Sequence, residues 1–145
     1  MKAVLQRVSS ASVKVNDHIV GSIAHGWLVL LGINHQDEKK DCQFIADKVS
    51  GLRAFSDEQG KMNLSVKDVK GSILVVSQFT LYGDCQKGRR PSFQEAAKPD
   101  QAHSLYLDFI EKVKAYGLEV ATGEFGANME VSMVGDGPVT LILSS

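Results

Sequence analysis

Hydrophobic and polar residues alternate along the first third of the chain. Apolar side chains fall mostly at every second position in 3–8 and 12–15, and a further stretch, 19–23, follows the polar cluster Asn16-Asp17-His18 as the second arm of a probable hairpin. This period is typical of strands with one buried face, and the polar cluster indicates the turn of a hairpin. The apolar runs 26–33 and 73–76 are too short for typical helices, so each predicts a strand buried on both faces.

Helical spacing replaces this alternation in two places. One apolar stripe predicts a helix over about 38–52, with Asp37 or Asp41 as its N-cap; the stripe consists of Cys42, Ile45, Ala46, Val49 and Leu52. A second helix opens at Pro99 and ends near Gly117. Three strands then follow at about 118–123, 129–134 and 139–143, with a turn-like segment between the last two. We therefore expect an α+β fold, a single strand-rich domain over residues 1–145 with mixed or antiparallel sheets and two main helices.

Composition and net charge argue against some classes of protein. The 145 residues carry 16 Lys and Arg against 17 Asp and Glu, for a net charge of −1. A general nucleic-acid coating protein would be strongly basic, although a local basic patch remains compatible with this balance. The two cysteines and four histidines show no metal-ligand spacing, and no apolar run is long enough to span a membrane. We expect a cytoplasmic protein that binds no membrane, with no metal and no cofactor.

Three segments are candidates for chemistry. Ser77-Gln78-Phe79-Thr80 follows a buried strand, where hydroxyl, amide and backbone N–H groups border a crevice; alternatively, these residues only end the strand and fill the core. The loop with Lys87, Arg89 and Arg90 suits phosphate contacts, although a solvated run of charge is the alternative. Gly137-Pro138 marks an edge or a bend between two strands, or a cis peptide bond.

The cysteines offer a weaker candidate. Cys85 precedes Lys87, Arg89 and Arg90, whose positive charges favour a reactive thiolate, but the sequence supplies no obvious base for it. Cys42 lies on the apolar stripe of the first helix and is expected to be a small core residue.

Several short motifs follow one another along the chain. They include Gln6-Arg7-Val8, Lys61-Met62-Asn63-Leu64-Ser65, Gly88-x-Arg90-Pro91-Ser92-Phe93 and Gly123-x-Phe125-Gly126-Ala127-x-Met129. Ser77-Gln78-Phe79-Thr80-Leu81 followed by Gly137-Pro138-Val139-Thr140 is a specific pair. Taken together and in this order, the motifs resemble the D-aminoacyl-tRNA deacylase family over essentially the whole chain.

The resemblance implies the fold of that family, a homodimer with its sites at the subunit interface, and aminoacylated tRNA as the substrate. Such proteins hydrolyse the ester between a D-amino acid and the 3′-terminal adenosine of tRNA, and they also remove glycine from mischarged tRNA. Gly137-Pro138 is then a cis dipeptide that enters the partner's site and rejects L-amino acids. Ser77–Thr80 forms the catalytic floor of the pocket, and the substrate-binding residues are Phe125, Ala127 and Met129. Lys87, Arg89 and Arg90 are expected to contact the tRNA.

Two catalytic routes are open for such a site. Thr80 could attack the ester, but a threonine nucleophile needs a base and the motif contains none. The resemblance favours attack by water, assisted by the terminal ribose 2′-OH, with N–H groups near Phe79 and Thr80 stabilising the oxyanion. Thr80→Ala is therefore expected to keep substantial activity.

One position departs from the family. The family commonly has Asn-x-Gly-Pro, whereas this chain has Gly135, which cannot brace the turn through a side chain. Arg7 is expected to brace the dipeptide because a guanidinium can donate to several carbonyls, and Asp136 could also substitute for the asparagine. The departure bears on the cis bond and on how strictly L-amino acids are rejected, and it leaves the reaction class unchanged.

Two other functions compete with this interpretation. A tRNA- or nucleotide-binding module would bind the acylated adenosine without releasing the amino acid. A conventional Thr- or Cys-dependent hydrolase would accept small esters or amides that have no ribose 2′-OH.

Overall fold

The computed structural model describes residues 1–145 as two helices, eight strands and one short 3-10 helix. The strands are β1 (Lys2–Val15), β2 (His18–Ile23), β3 (Gly26–Gly32), β4 (Phe55–Ser56), β5 (Met62–Leu64), β6 (Ser72–Ser77), β7 (Val120–Thr122) and β8 (Glu130–Ser144). The helices are α1 (Lys39–Gly51), α2 (Pro99–Ala115) and the 3-10 helix Phe79–Tyr82. The predicted α+β class, with one strand-rich domain and two main helices, is confirmed.

Six strands form one mixed sheet. Its order is β2-β1-β3-β6-β7, and β8 pairs with β1. The pairs β3–β6 and β6–β7 are parallel, whereas β1 is antiparallel to each of its three neighbours. A parallel pair needs a long crossover connection, and α1 and α2 lie in the two crossovers that enter and leave β6.

The sheet curls until β2 approaches β7. A Cβ on Gly21 would lie 2.2 Å from the carbonyl oxygen of Thr122, so only glycine permits this approach. The curl encloses a small apolar cluster of Val8, Ala11, Val13, Val15, Leu28, Leu74 and Val76. The opposite face carries the larger core, to which both helices contribute. Strands β3 and β6 lie between the two clusters, which confirms that both are buried on two faces.

The helices follow the predicted stripes. Cys42, Ile45, Ala46 and Val49 are fully buried on α1, and Gly117 with φ +77° follows the end of α2. The N-cap of α1 is Glu38, and the choice of Asp37 or Asp41 was wrong. Asp41 accepts a hydrogen bond from the Glu38 N–H at 2.8 Å, and Asp37 accepts one from the Asn34 N–H at 2.7 Å. Both carboxylates thus bind backbone N–H groups in or before the first turn.

The last predicted strands, 129–134 and 139–143, are one continuous strand, β8. Its partner β1 is 14 residues long and pairs with it on both sides of the turn-like segment. Gln6 pairs with Thr140 and Val8 pairs with Gly135, so the residues from Asp136 to Val139 bulge out of the ladder. The Gly-Pro signal therefore marks a bulge within a strand and not a turn between two strands.

Candidate active site

The candidate site lies where β3 and β6 end. The two strands are parallel, so their carboxyl ends meet at the same edge of the sheet. There the Gln78 N–H donates to the Leu31 carbonyl at 2.8 Å, and the chain then turns into the 3-10 helix. Such an edge borders a crevice, because the connecting segments must leave the sheet in different directions.

A cavity of about 590 Å³ opens at this edge. Ten of its fourteen lining residues are hydrophobic, and none carries a carboxylate, an imidazole, a thiol or a cationic group. The walls come from β3, the end of β6, the loop before α2, the start of α2 and the segment before β8. The lining residues are Leu31, Ile33, Ser77, Gln78, Phe79, Phe93, Ala96, Ala97, Pro99, Ala102, Phe125, Gly126, Ala127 and Met129.

Six of the residues singled out in the sequence meet in this cavity. They are Ser77, Gln78, Phe79, Phe125, Ala127 and Met129, which come from two segments almost 50 positions apart in the chain. Thr80 lies beside the cavity and does not line it. Its hydroxyl is exposed and accepts a hydrogen bond from the Gln78 side-chain amide.

Sequence reasoning missed the wall formed by Ala96, Ala97 and Ala102. Small residues on a loop and a helix carry no chemical signal, and only the fold brings them to the strand ends. Phe93 ends the Gly88–Phe93 motif, and the sequence predicts no role for it in the pocket. Its ring packs edge-to-face against Phe79 at 5.1 Å between centroids, and both rings are partly exposed at the cavity.

Packing behind the cavity fixes two of its wall residues. The Phe125 ring lies 5.6 Å from that of Tyr106, whose hydroxyl donates to the Val75 carbonyl at 3.0 Å. Burial raises the pKa of Tyr106 to about 12, so it stays a neutral donor. On the other wall, a Cβ on Gly123 would lie 2.6 Å from the Met129 sulfur. Gly123 thus leaves the space that the Met129 sulfur occupies.

Gly137 and Pro138 do not line the cavity of their own chain. Both are exposed on the bulge of β8, and the peptide bond between them is cis. Gly137 has φ +129°, a conformation that L-residues rarely adopt.

Arg7 holds this bulge from the adjacent strand. Its Nε donates to the Asp136 carbonyl at 3.1 Å and lies 3.1 Å from the Asp136 carboxylate. A terminal nitrogen donates to the Ala54 carbonyl at 2.7 Å. The side chain is only 9% exposed, so Arg7 is a buried contact of the bulge and not a wall of the cavity.

The basic residues occupy an exposed loop. Lys87, Arg89 and Arg90 all lie on the surface, and none of them forms an ion pair with a carboxylate of the chain. Exposure without an ion pair is also what the alternative, a solvated run of charge, predicts. Their three charges are available to an anionic partner.

The cysteines have different environments. Cys42 is fully buried, donates to the Leu105 carbonyl at 3.4 Å, and has a pKa raised to about 12 by its burial. Cys85 is exposed and lies outside the cavity described above. No group of three or more His, Cys, Asp or Glu residues is arranged to hold a metal ion. Neither helix is long and apolar enough to cross a membrane.

Comparison with known proteins assigns this α+β domain to a family. The chain belongs to the family described as D-Tyr-tRNA(Tyr) deacylase, which it matches over residues 4–144. It is 58% identical to the D-aminoacyl-tRNA deacylase of Thermotoga petrophila, over 100% of this chain and 97% of that protein. It is 59% identical to the D-aminoacyl-tRNA deacylase of Bacillus thuringiensis, over 100% of this chain and 99% of that protein.

Two solved structures share the fold. One, titled c-Myc DNA Unwinding Element Binding Protein, superposes with a TM-score of 0.93 at 42% identity and covers 100% of this chain and 99% of its own. The other, described as a probable eukaryotic D-amino acid tRNA deacylase, has a TM-score of 0.84 at 19% identity. It covers 98% of this chain and 97% of its own, and at that identity it supports the fold alone.

Proposed function

We propose that the protein hydrolyses the ester bond of D-aminoacyl-tRNA, and of mischarged glycyl-tRNA, to release the free amino acid and tRNA. The relatives named above are D-aminoacyl-tRNA deacylases at 58–59% identity over the full length of the chain. The uncharged cavity at the end of β6 also supports the proposal. A site without an acid, a base or a thiol in its walls suits a substrate that brings its own reactive hydroxyl.

A second copy of the chain completes this site. Gly137 and Pro138 are exposed away from their own cavity, on a strand whose second edge has no partner. The same strand exposes large apolar side chains, namely Val131, Met133, Val134 and Ile142. Burial of these side chains in a two-fold dimer would bring each dipeptide to the partner and give two equivalent sites.

Chiral selection follows from the shape of the inserted dipeptide. The α-ammonium of the substrate has three donors, and fixed carbonyl acceptors satisfy them in only a few orientations. With the backbone of Gly137-Pro138 close to the α-carbon, only hydrogen fits on that side. The side chain of a D-residue points away, whereas that of an L-residue collides. Many D-amino acids are then tolerated, and glycine is not excluded.

The ester is cleaved by water. The terminal ribose 2′-OH assists the attack, and the Phe79 and Thr80 N–H groups, at the start of a 3-10 helix, donate to the oxyanion. The tetrahedral intermediate then collapses with departure of the ribose 3′-oxygen, which takes up a proton, and the amino acid leaves as the carboxylate. Thr80 already accepts a hydrogen bond from Gln78, and no side-chain base contacts its hydroxyl. A Thr80 nucleophile has no group to activate it.

The tRNA approaches over the basic loop. Lys87, Arg89 and Arg90 provide three unpaired positive charges for phosphates, on a protein whose net charge is −1. Binding should be of modest affinity and should weaken as salt is added. With tRNA as its substrate, the protein is proposed to act in the cytoplasm.

Release of amino acid from D-Tyr-tRNA, L-Tyr-tRNA and Gly-tRNA, measured side by side, tests the proposal. We expect fast loss of D-Tyr and Gly while L-Tyr remains bound to the tRNA. Equal hydrolysis of both Tyr enantiomers would retain an esterase but reject the chiral role of Gly137-Pro138. Binding of all three without hydrolysis would instead favour a binding module for tRNA or nucleotides.

A second experiment separates the catalytic routes. D-Tyr-tRNA whose terminal adenosine lacks the 2′-OH should be hydrolysed far more slowly, by about 10²-fold or more, which is the usual size of an acid–base contribution. Thr80→Ala should keep substantial activity on normal D-Tyr-tRNA. Near-complete loss of turnover in folded Thr80→Ala, together with an acyl-enzyme trapped in the wild type, would show that Thr80 is the nucleophile. Fast hydrolysis of the 2′-deoxy substrate would favour a conventional hydrolase.

A further inference from the structure

The bulge of β8 is attached to β1 at both of its ends by adjacent residues. At one end Arg7 binds the carbonyl and the carboxylate of Asp136. At the other end the Thr140 hydroxyl donates to the Gln6 side-chain carbonyl at 2.5 Å. Between these two attachments the residues from Gly137 to Val139 have no ladder partner on β1.

The Asp136 carboxylate also has a second side chain beside it in this chain. His25, the residue before β3, places its Nε2 3.8 Å from the same carboxylate oxygen that Arg7 approaches. The His25 ring is held edge-to-face against Phe55 at 5.2 Å. The Asp136 carboxylate is 43% exposed, so burial alone does not fix its position. Its contact with the buried Arg7 guanidinium does.

We infer that Asp136 and Thr140 are positioning residues whose side chains, bound to Arg7 and Gln6, fix the bulge and thereby set the discrimination between D- and L-aminoacyl esters. This inference rests on the proposed function. Position 135 is glycine and contributes no side chain to the bulge, so the bracing is left to its neighbours. A steric filter rejects an L-side chain only if the filtering atoms cannot yield, since a shift of about 1 Å removes a collision.

The two attachments predict a specific kinetic pattern. Asp136 and Thr140 do not line the cavity, so their loss leaves the ester, the water and the oxyanion donors in place. A loosened bulge mainly admits L-substrates. D-Tyr-tRNA and Gly-tRNA contact it through the α-ammonium only, and a flexible hydrogen bond follows a small shift more easily than a steric collision does. A residue with a merely structural role would instead lower the rates on all three substrates together.

The test compares Asp136→Ala, Asp136→Asn and Thr140→Val with the wild type on D-Tyr-tRNA, L-Tyr-tRNA and Gly-tRNA. Glu130→Gln is the matched control, because it removes a carboxylate that pairs with Lys14 across the same two strands at 2.8 Å, away from the bulge. Circular dichroism and thermal melts verify that each variant is folded. Asp136→Asn keeps the size of the side chain and replaces the alanine variant in the comparison if the alanine variant does not fold.

We expect Asp136→Ala to raise kcat/KM for L-Tyr-tRNA by about tenfold, the equivalent of about 1.4 kcal/mol, with a change of at most about threefold for D-Tyr and Gly. Thr140→Val should shift the ratio in the same direction, and Glu130→Gln should leave it unchanged. An unchanged ratio of L to D rates in the folded variants would overturn the inference, as would a parallel fall on all three substrates. A wild type that does not hydrolyse D-Tyr-tRNA would overturn the proposed function itself.

Discussion

Replacement of Arg7 by methionine removes a buried guanidinium that joins three parts of the fold. Its side chain connects β1 to the bulge of β8 through Asp136, and to the chain before β4 through the Ala54 carbonyl. Methionine keeps much of the apolar stem and makes none of these bonds. The change therefore isolates the polar contacts of Arg7 from its packing.

The size of the effect follows from the burial of each partner. Ala54 is 7% exposed, so its carbonyl loses a charge-assisted hydrogen bond with little access to water, at a cost of about 1.5–3 kcal/mol. The Asp136 carboxylate is 43% exposed and can rehydrate, so its loss adds only about 0.5–1 kcal/mol. We expect Arg7→Met to lower the free energy of unfolding by about 2–4 kcal/mol, or the melting temperature by about 4–16 °C.

Urea unfolding at a fixed protomer concentration measures this change, since association would otherwise alter the apparent stability. Arg7→Lys keeps the charge with a single donor head, so it should restore part of the lost stability. Lys14→Met is the control, because it removes a cation from the same strand that pairs only with exposed carboxylates, and it should leave the midpoint unchanged. A stability of Arg7→Met within about 0.5 kcal/mol of the wild type would refute the reasoning, because surface substitutions alone give effects of that size.

Three other predictions concern the cavity, the basic loop and the thiols. Gly123→Ala should force the Met129 sulfur, 2.6 Å from the new Cβ, into the cavity and raise KM for D-Tyr-tRNA by about 3–10-fold. Restoration of KM in Gly123→Ala with Met129→Ala would confirm the steric cause, and a KM unchanged in Gly123→Ala would contradict it. Replacement of Lys87, Arg89 and Arg90 by alanine should flatten the salt dependence of tRNA binding by a slope of about 2–3, as measured by titration at several salt concentrations; an unchanged slope would exclude these residues from the contact. Iodoacetamide at pH 8 should modify only Cys85 in the native protein, since burial raises the pKa of Cys42 to about 12, and both cysteines in urea. Mass spectrometry that finds Cys42 alkylated in the native protein would refute this.

The helices and the buried strands could be predicted because their signals are local. The stripe of α1 and the apolar runs of β3 and β6 record, residue by residue, which side faces the core. Ser77 to Phe79 were singled out because they follow a buried strand, whereas Phe125, Ala127 and Met129 came from a resemblance in motifs. Both sets line the same cavity.

The features that sequence reasoning missed depend on contacts between distant segments. Gly135-Asp136-Gly137-Pro138 has the composition of a turn, yet β8 continues through it because the long strand β1 supplies partners on both sides. The alanine wall of the cavity has no signature at all, because its function is to leave space. Such residues are recognised only once the crossovers have placed α2 beside the end of β6.

Because the Gly-Pro bulge lies outside the cavity of its own chain, the proposed site depends on assembly of the dimer. In the proposed function, the enantiomers are distinguished by collision with the Gly137-Pro138 dipeptide, which does not line the cavity of its own chain. Within its own chain the dipeptide lies on the bulge that Arg7 holds. In the proposed dimer, each chain supplies the floor of one site and the filter of the other, so a monomer has neither site complete. Chiral selectivity should then depend on protein concentration near the dimer dissociation constant, and L-Tyr-tRNA hydrolysis measured across that range would expose it.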